Sequence, residues 1–219
     1  MKILFGSYKG GPGKSTWTTN FASILAGQGR DVLMIDADNQ GSLTMWASIR
    51  SRNGITPSMT CMSGSGEELH AEINRMAPKF DDVIIDTAGH DSLELRSAMI
   101  VADVLITPVE VSVFSTGTLG KIQAMVRQAK VFNPTLKCFL VPNRVSTNKA
   151  RGDAQIARLH QLADQLPEYV ITKNACRERA SIGDVSETGQ CGVETSDPKA
   201  VAEIMAIFNE IQEHLKEAQ

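Results

Sequence analysis

The sequence predicts an α/β fold with a doubly wound, mostly parallel sheet flanked by helices. Short and almost continuously apolar runs alternate along the chain with longer segments whose apolar residues have helical spacing, as in successive βαβ units. Runs that are apolar throughout suit parallel strands, because such strands are buried on both faces. The chain has 219 residues, 42% of them hydrophobic and 21% charged, and we find no internal repeat or linker in it. We therefore expect one domain over residues 1–219 with a substantial core.

Five apolar runs are predicted to form strands. They lie at residues 2–7, 31–36, 81–86, 104–108 and 137–142. The first helix follows the first run, and its apolar residues repeat at the i, i+4, i+7, i+8 spacing of one helix face: Trp17, Phe21, Ile24 and Leu25. Further helices are predicted near residues 67–76, 92–101, 117–132, 150–166 and 198–216. Residues 51–66 are rich in Ser, Gly, Thr and Met, so we expect an exposed loop there, and residues 145–153 carry polar and basic side chains and are expected to form a flexible connection.

A glycine-rich run connects the first strand to the first helix: Lys9-Gly10-Gly11-Pro12-Gly13-Lys14-Ser15-Thr16. Its glycines allow the backbone N–H groups to face inward and bind phosphate oxygens, and the helix that follows adds its positive end. Lys14 is expected to reach the outer phosphates, and the Ser15 hydroxyl to ligate Mg²⁺. Tyr8 stands where the common G-x-x-x-x-G-K-[ST] pattern has its first glycine. Lys9 is an additional lysine, for which the alternative is a solvated surface position.

Aspartates follow two of the predicted strands. Asp36 and Asp38 follow the second strand, and Asp86 ends the third. These side chains are expected beside the glycine-rich run, because ligands of such folds bind at the carboxyl ends of the strands. Carboxylates next to a phosphate site suit Mg²⁺ binding and the orientation of an attacking water. For a single aspartate at a strand end, the alternative is that its carboxylate caps the next helix.

Two later segments contain further candidates. Asn143 and Arg144 follow the fifth strand, where Pro-Asn favours a turn and the Asn side chain offers both a donor and an acceptor to a base edge. Lys173, Arg177 and Arg179 lie in a later polar segment. They are candidates for a basic patch that binds DNA phosphates without sequence preference. The alternative is an ordinary solvated loop.

These motifs resemble the ParA/MinD/Soj group of P-loop ATPases. The run at residues 9–16 resembles the K-G-G-x-G-K-[ST]-T deviant Walker A loop, and residues 36–40 resemble the D-x-D-P-Q switch I motif with Asn39 in place of proline. Residues 83–89 resemble a Walker B strand followed by a switch II glycine. Residues 171–180, together with Thr188-Gly189-Gln190, resemble segments of small plasmid-partition members.

The resemblance implies ATP and Mg²⁺ as cofactors and gives each candidate a role. Lys9 would reach across an ATP-bridged homodimer to the partner's nucleotide, and Asp38 would orient the attacking water. Residues of the loop and of the later turn would bind the nucleotide: Gly10, Gly11, Pro12, Gly13, Lys14, Ser15, Thr16, Asn143 and Arg144. Three side chains would hold or support Mg²⁺: Ser15, Asp36 and Asp86.

The function that the resemblance implies is DNA segregation by a slow, partner-stimulated ATPase. The dimer would bind nonspecific DNA, and a centromere-binding or cargo adaptor protein would stimulate hydrolysis. Related ATPases that position other cargo or act in conjugative transfer remain alternatives. The acidic C-terminal helix argues against a MinD-like membrane switch, and no substrate pocket of a metabolic ligase is identified.

The composition adds two expectations about location. A net charge of −3 gives no overall basic signature, so any DNA contact must be local. The four cysteines are widely spaced, as in proteins of a reducing compartment. We expect a bacterial cytoplasmic protein associated with the nucleoid and not with a membrane.

Overall fold

The computed structural model describes residues 1–111 and 116–217. Its described strands form one seven-stranded sheet in the order β3-β2-β4-β1-β5-β6-β7, and every strand pairing in it is parallel. This confirms the predicted fold class. The strands are β1 (Lys2–Phe5), β2 (Val32–Ala37), β3 (Thr60–Ser63), β4 (Asp82–Thr87), β5 (Val104–Glu110), β6 (Lys137–Asn143) and β7 (Val170–Ile171).

The helices cover both faces of the sheet. They are α1 (Lys14–Gly27), α2 (Ser42–Arg52), α3 (Leu69–Met76), α4 (Leu93–Val101), α5 (Thr116–Phe132), α6 (Lys149–His160), α7 (Ala180–Asp184) and α8 (Pro198–Glu217). All six predicted helices are present. The prediction near residues 150–166 was too long, because α6 ends at His160 and a separate 3₁₀ turn follows at Ala163–Gln165.

Residues 51–66 do not form the expected exposed loop throughout. They include the end of α2 and all of β3, an edge strand whose Cys61 pairs with Met34 of β2. Thr60 and Ser63 of β3 are exposed, so the strand lacks the continuous apolar run of a central strand. The expected flexible connection at residues 145–153 is also partly wrong, because α6 begins at Lys149, and the Asn148 carboxamide accepts a hydrogen bond from Arg151 N at 3.1 Å.

The alternation of side chains along β1 divides the core into two layers. Phe5 lies in the layer formed with α1 and α8, where Phe21 makes edge-to-face contacts with Phe5 and Phe208 at centroid distances of 5.2 and 5.1 Å. Leu4 faces the opposite layer, which contains Leu95 of α4. β1 therefore lies at the centre of the sheet, between β4 and β5, and the loop after it reaches the carboxyl edge where such folds bind ligands.

Two further observations concern the cysteines and the helices. All four cysteines are free, and burial raises the pKa of the Cys138, Cys176 and Cys191 thiols to about 12. Within residues 1–111 and 116–217, no helix has both the length and the apolar character needed to cross a membrane.

Candidate active site

The loop between β1 and α1 has a backbone shape that favours glycine. Gly11 and Gly13 have φ values of 90° and 94°, in the left-handed region. A Cβ on Gly13 would also lie 2.8 Å from Asn143 Nδ2. Among the described residues, no side chain caps α1. The first N–H groups of this helix are therefore available to an anion.

The two lysines of the loop occupy contrasting environments. Lys14 is 7% exposed, and burial lowers its pKa, while the carboxylates of Asp86 and Asp38 oppose that fall. Lys9 is exposed on the outer part of the loop, and its carbonyl accepts a hydrogen bond from Ser7 Oγ at 2.7 Å. Lys14 is thus buried next to two aspartates, whereas Lys9 lies at the surface of the loop.

Asp86, at the end of β4, is 1% exposed. Neither of its carboxylate oxygens forms a well-oriented hydrogen bond with a described residue. Burial raises the Asp86 pKa to about 7, and the Ser15 hydroxyl and the Lys14 ammonium offset only part of the rise. The nearby Lys14 ammonium therefore compensates the burial of this carboxylate only in part.

The donor set fits Mg²⁺ held together with a nucleotide. Mg²⁺ is commonly bound through one or two carboxylates, phosphate oxygens and several waters, without a cage of protein ligands. Asp86 supplies a buried carboxylate that no described residue satisfies with a well-oriented hydrogen bond, and the Ser15 hydroxyl lies close enough to lower its pKa. Within the described residues, no three His, Cys, Asp or Glu side chains cluster to hold a metal ion.

Asp36 and Asp38 lie beside this acid but have different partners. Asp36 is paired with Asp86 in the register of β2 and β4. Its Oδ2 accepts hydrogen bonds from Thr44 N at 2.8 Å and from Thr44 Oγ1 at 2.9 Å, and its Oδ1 accepts one from Asp38 N at 3.3 Å. The direct contacts of Asp36 are therefore those of the alternative in which the carboxylate caps the next helix, here α2. Asp38 is half-buried, and its charge acts on Lys14.

Gly89 brings the segment after β4 against the loop. A Cβ on Gly89 would lie 2.5 Å from Gly10 Cα and 2.7 Å from the Lys9 carbonyl oxygen, so this backbone contact tolerates no side chain. Asp91, further along the segment, is held by Arg96 through contacts of 2.5 and 2.7 Å. That ion pair gives Asp91 a structural role.

Asn143 and Arg144 lie on the other side of the loop. The buried Asn143 donates a hydrogen bond from Nδ2 to the Pro12 carbonyl at 2.7 Å, which ties the end of β6 to the loop. Arg144 is exposed and has a φ of 50°, a strained value of the kind found at functional sites. A cleft of about 460 Å³ opens here, lined by Gly13, Thr16, Trp17, Asn143, Arg144 and residues 176–180 among others.

The basic residues of the later segment do not form one open patch. Lys173 is exposed, but Arg179 Nη2 lies 2.6 Å from Glu203 Oε1. Arg177 donates to the Ser146 carbonyl at 2.6 Å and lies 3.4 Å from Asp153. DNA contact through either arginine would require these bonds to break, and DNA binding by the three residues stays a prediction.

Two glutamates of α8, which the sequence analysis missed, hold this segment in place. Glu203 accepts a hydrogen bond from Arg177 N at 2.9 Å in addition to its ion pair with Arg179. Glu210 accepts bonds from Lys173 N at 2.7 Å and Asn174 N at 3.0 Å. The two acids lie seven residues apart, and so on one face of the helix. The seven-residue spacing of two acids among apolar residues was the sequence signal that could have identified them.

Comparison with known proteins identifies the family of the chain. Residues 3–184 match the family model described as the CobQ/CobB/MinD/ParA nucleotide binding domain. The chain belongs to the CobQ/CobB/MinD/ParA family. It is therefore a member of a P-loop ATPase family, and the resemblance in its sequence motifs is confirmed.

Curated relatives of the chain include a carboxysome-distribution protein, VirC1 and IncC. The chain is 27% identical to the "Maintenance of carboxysome distribution protein A" of Halothiobacillus neapolitanus, over 95% of each chain. It is 32% identical to VirC1 of Rhizobium rhizogenes, over 86% of this chain and 82% of VirC1. It is 24% identical to IncC of Escherichia coli over 81% of this chain, but that match spans only 65% of IncC.

Solved structures of the ParA/MinD family share the fold. A plasmid partition protein of Borrelia burgdorferi B31 bound to AMPPNP has a TM-score of 0.70 at 20% identity, over 95% of this chain and 98% of its own. MinD of Pyrococcus horikoshii OT3 complexed with Mg-ADP has a TM-score of 0.72 at 18% identity, over 96% of this chain and 95% of its own. At these identities the likeness shows the fold alone.

Proposed function

We propose that this chain is a ParA-like ATPase that acts in DNA segregation. The observation that carries the proposal is the pair of lysines in one phosphate-binding loop. Lys14 is buried beside Asp86 and Asp38, and Lys9 is exposed on the same loop. One lysine is enough for the nucleotide of its own subunit, so an exposed second lysine fits a nucleotide shared between two subunits.

We assign the roles in ATP hydrolysis to residues in and around the phosphate loop. Lys14 binds the outer phosphates, and Asp38 orients the attacking water toward the terminal phosphorus. Ser15 and Asp86 would hold Mg²⁺, and that ion would supply positive charge to neutralise the phosphate oxygens. Asp36 supports this site from behind, since its carboxylate fixes both Asp38 N and Thr44.

The nucleotide itself is assigned to the loop and to the adjacent cleft. N–H groups of residues 10–16 bind the phosphates, and the base lies in the cleft beside Asn143 and Arg144. One amide hydrogen bond of Asn143 goes to the Pro12 carbonyl. Any base contact therefore uses the remaining donor and acceptor capacity of this carboxamide.

ATP is proposed to join two subunits through Lys9 into a dimer. The dimer binds nonspecific DNA, and a cargo-bound adaptor such as a centromere-binding protein stimulates hydrolysis and releases it. The contact between Gly89 and Gly10 supports a switch, because a change in the loop is passed directly to the segment before α4. This cycle would take place in the bacterial cytoplasm on the nucleoid.

Positioning of a cargo other than a plasmid is the second candidate. It is favoured by the carboxysome-distribution relative, which matches 95% of this chain at 27% identity. Both candidates use the same ATP-dependent dimer and differ in the adaptor. Pull-down of proteins encoded by neighbouring genes, with an Asp38→Ala variant held in the ATP state, distinguishes them.

A gel-shift experiment tests the proposed function. Nonspecific duplex DNA is titrated with protein in ATP, in ADP and without nucleotide, at physiological salt. We expect binding in ATP alone and stronger retention with Asp38→Ala, which keeps ATP uncleaved. Equal binding in all three states, or none in any, contradicts the proposal.

A further inference from the structure

Residues 188–194 are attached to α2 through an ion pair between the buried Arg50 and the half-buried Glu194. Arg50 of α2 is 3% exposed. Its Nη1 and Nη2 donate to the two carboxylate oxygens of Glu194 at 2.9 and 2.7 Å. Nη1 also donates to the Gly189 carbonyl at 2.9 Å, and Nε to the Pro57 carbonyl at 3.1 Å. The guanidinium is thus bound on several sides, as a buried charge requires.

Further contacts extend this attachment along α2. Trp46 donates from Nε1 to the Gln190 carbonyl at 2.9 Å, and Asn53 donates from Nδ2 to the Thr188 carbonyl at 2.9 Å. Gly189 has a φ of 81°, and a Cβ there would lie 2.5 Å from Arg50 N. The backbone of residue 189 therefore lies directly against the helix.

The other side of the same segment is fixed to α1 and α8. Val193 N donates to Asn20 Oδ1 at 2.8 Å, and Asn20 Nδ2 donates to the Thr16 carbonyl at 2.7 Å. A Cβ on Gly192 would lie 2.5 Å from Ile204 Cδ1. Residues 188–194 thus bridge the helix that follows the phosphate loop and the helix that follows Asp38.

The connection from α2 to Asp38 is short and stiff. Gly41 N donates to the Asp38 carbonyl at 2.9 Å, and Thr44 of the first turn is held by Asp36. A movement of α2 relative to α1 therefore moves Asp38 relative to Lys14. A displacement of about 1 Å in a catalytic arrangement can cost about a hundredfold in rate.

We propose that Arg50 and Glu194 are positioning residues for ATP hydrolysis, which hold α2 against residues 188–194 so that Asp38 faces the nucleotide bound at Lys14. The inference rests on the proposed role of Asp38. Neither residue touches the phosphate loop, so the pair acts through the position of α2 and leaves nucleotide binding to the loop.

Two variants loosen this attachment by independent means. Glu194→Gln removes the charge that neutralises Arg50, and Gly189→Ala inserts a methyl group between the segment and α2. For both variants we expect ATP affinity within about threefold of wild type and single-turnover hydrolysis slower by about tenfold or more. Arg52→Ala, at the exposed end of the same helix, is the control and is expected to match wild type.

Wild type and Asp38→Ala are measured beside these variants to separate two kinds of failure. If wild type does not hydrolyse ATP, or if Asp38→Ala hydrolyses it equally fast, the proposed function fails. If wild type is active, Asp38→Ala is inactive, and both loosened variants hydrolyse ATP within twofold of wild type, the positioning role is wrong. A purely structural role would lower thermal stability and leave the single-turnover rate of the folded protein unchanged.

A milder pair of variants decides the matter if either substitution prevents folding. Arg50→Lys keeps the charge and loses the forked geometry, and Asn53→Ala removes one exposed hydrogen bond. We expect a rate between wild type and Glu194→Gln for Arg50→Lys, and a smaller loss for Asn53→Ala. Wild-type rates for both overturn the proposal.

Discussion

The environment of each lysine in the phosphate loop determines its chemistry. Lys14 is buried next to Asp86 and Asp38, and Lys9 is exposed. The two residues are equivalent in residue type and differ only in burial and neighbours. The proposed function gives the exposed Lys9 a role at the nucleotide of a second subunit.

Substitution of Lys14 and Asp38 separates binding from hydrolysis. Lys14→Ala is expected to weaken binding of a fluorescent ATP analogue by at least about tenfold, because hydrogen bonds to charged groups contribute about 1.5–3 kcal/mol. Asp38→Ala is expected to bind the analogue like wild type and to lose hydrolysis. Normal phosphate release by Asp38→Ala would show that another residue orients the water.

Asp86 is expected to make the nucleotide-free protein less stable as the pH rises. Its pKa is about 7 in the folded chain and 3.8 ordinarily. Between these values the folded chain keeps a proton that the unfolded chain has released, so the free energy of unfolding falls with rising pH and levels off above the folded pKa. Asp86→Asn should remove this fall.

Urea unfolding of both proteins at pH 5 and pH 8, without Mg²⁺ or nucleotide, measures the effect. Each pKa unit corresponds to about 1.4 kcal/mol. The variant should therefore gain up to about 3 kcal/mol on wild type between the two pH values. An identical pH dependence in the two proteins would mean that Asp86 is already ionised when the site is empty of ligand.

At the residue scale, the sequence predicts those side chains to lie together that are close in the chain or that end neighbouring strands. The phosphate loop and the strand-end acids follow directly from motif and topology. The ion pairs of Arg177 and Arg179 were not predictable in this way. Their partner Glu203 lies on α8, and only the folded chain brings it within 2.6 Å of Arg179.

At the scale of elements, the central strands were predictable from the sequence, whereas the edge strand β3 and the helix α2 were not. β4 has three apolar residues at its centre, Val83, Ile84 and Ile85, and β5 is apolar over most of its length, because both strands are buried in the sheet. β3 pairs on one side only, and α2 buries few residues, Leu43, Trp46 and Arg50. One of those three is charged, so the apolar periodicity that predicts a helix is too weak there.

The attachment of the cleft-lining segment to α8 leads to a prediction for Glu203. Glu203→Gln weakens the bonds to Arg177 N and Arg179 and should destabilise the protein by about 1–3 kcal/mol. ATP affinity should fall as well, since residues 176–180 line the cleft. The measurements are urea unfolding and titration with a fluorescent ATP analogue. Glu213→Gln, on the exposed side of α8, is the control, and equal losses in the two variants would contradict the assignment.

On the scale of the whole molecule, the shared fold does not determine the cargo. A plasmid partition protein and MinD have the same fold, so the fold alone does not distinguish their roles. What remains specific to this chain is its surface. With a net charge of −3, DNA binding depends on where a few basic side chains are placed.

Lys173 is the exposed member of the predicted DNA-binding residues and allows a direct test. Lys173→Ala is expected to weaken ATP-dependent DNA binding and to reduce the slope of log affinity against log salt by about 1. Lys79→Ala is the matched control, because Lys79 is exposed and precedes the amino end of β4. Filter binding over a range of salt concentrations measures both slopes. Equal slopes for wild type and Lys173→Ala would remove Lys173 from the DNA-binding surface.

The most direct test of the account is the molar mass of the Asp38→Ala protein by light scattering after size exclusion. With ATP and Mg²⁺ we predict twice the mass of one chain, and with ADP the mass of one chain. Addition of Lys9→Ala to this variant should return the ATP sample to one chain while binding of a fluorescent ATP analogue persists. A single-chain mass in ATP, or a dimer that forms equally without nucleotide or without Lys9, would contradict the claim that ATP joins two subunits through Lys9.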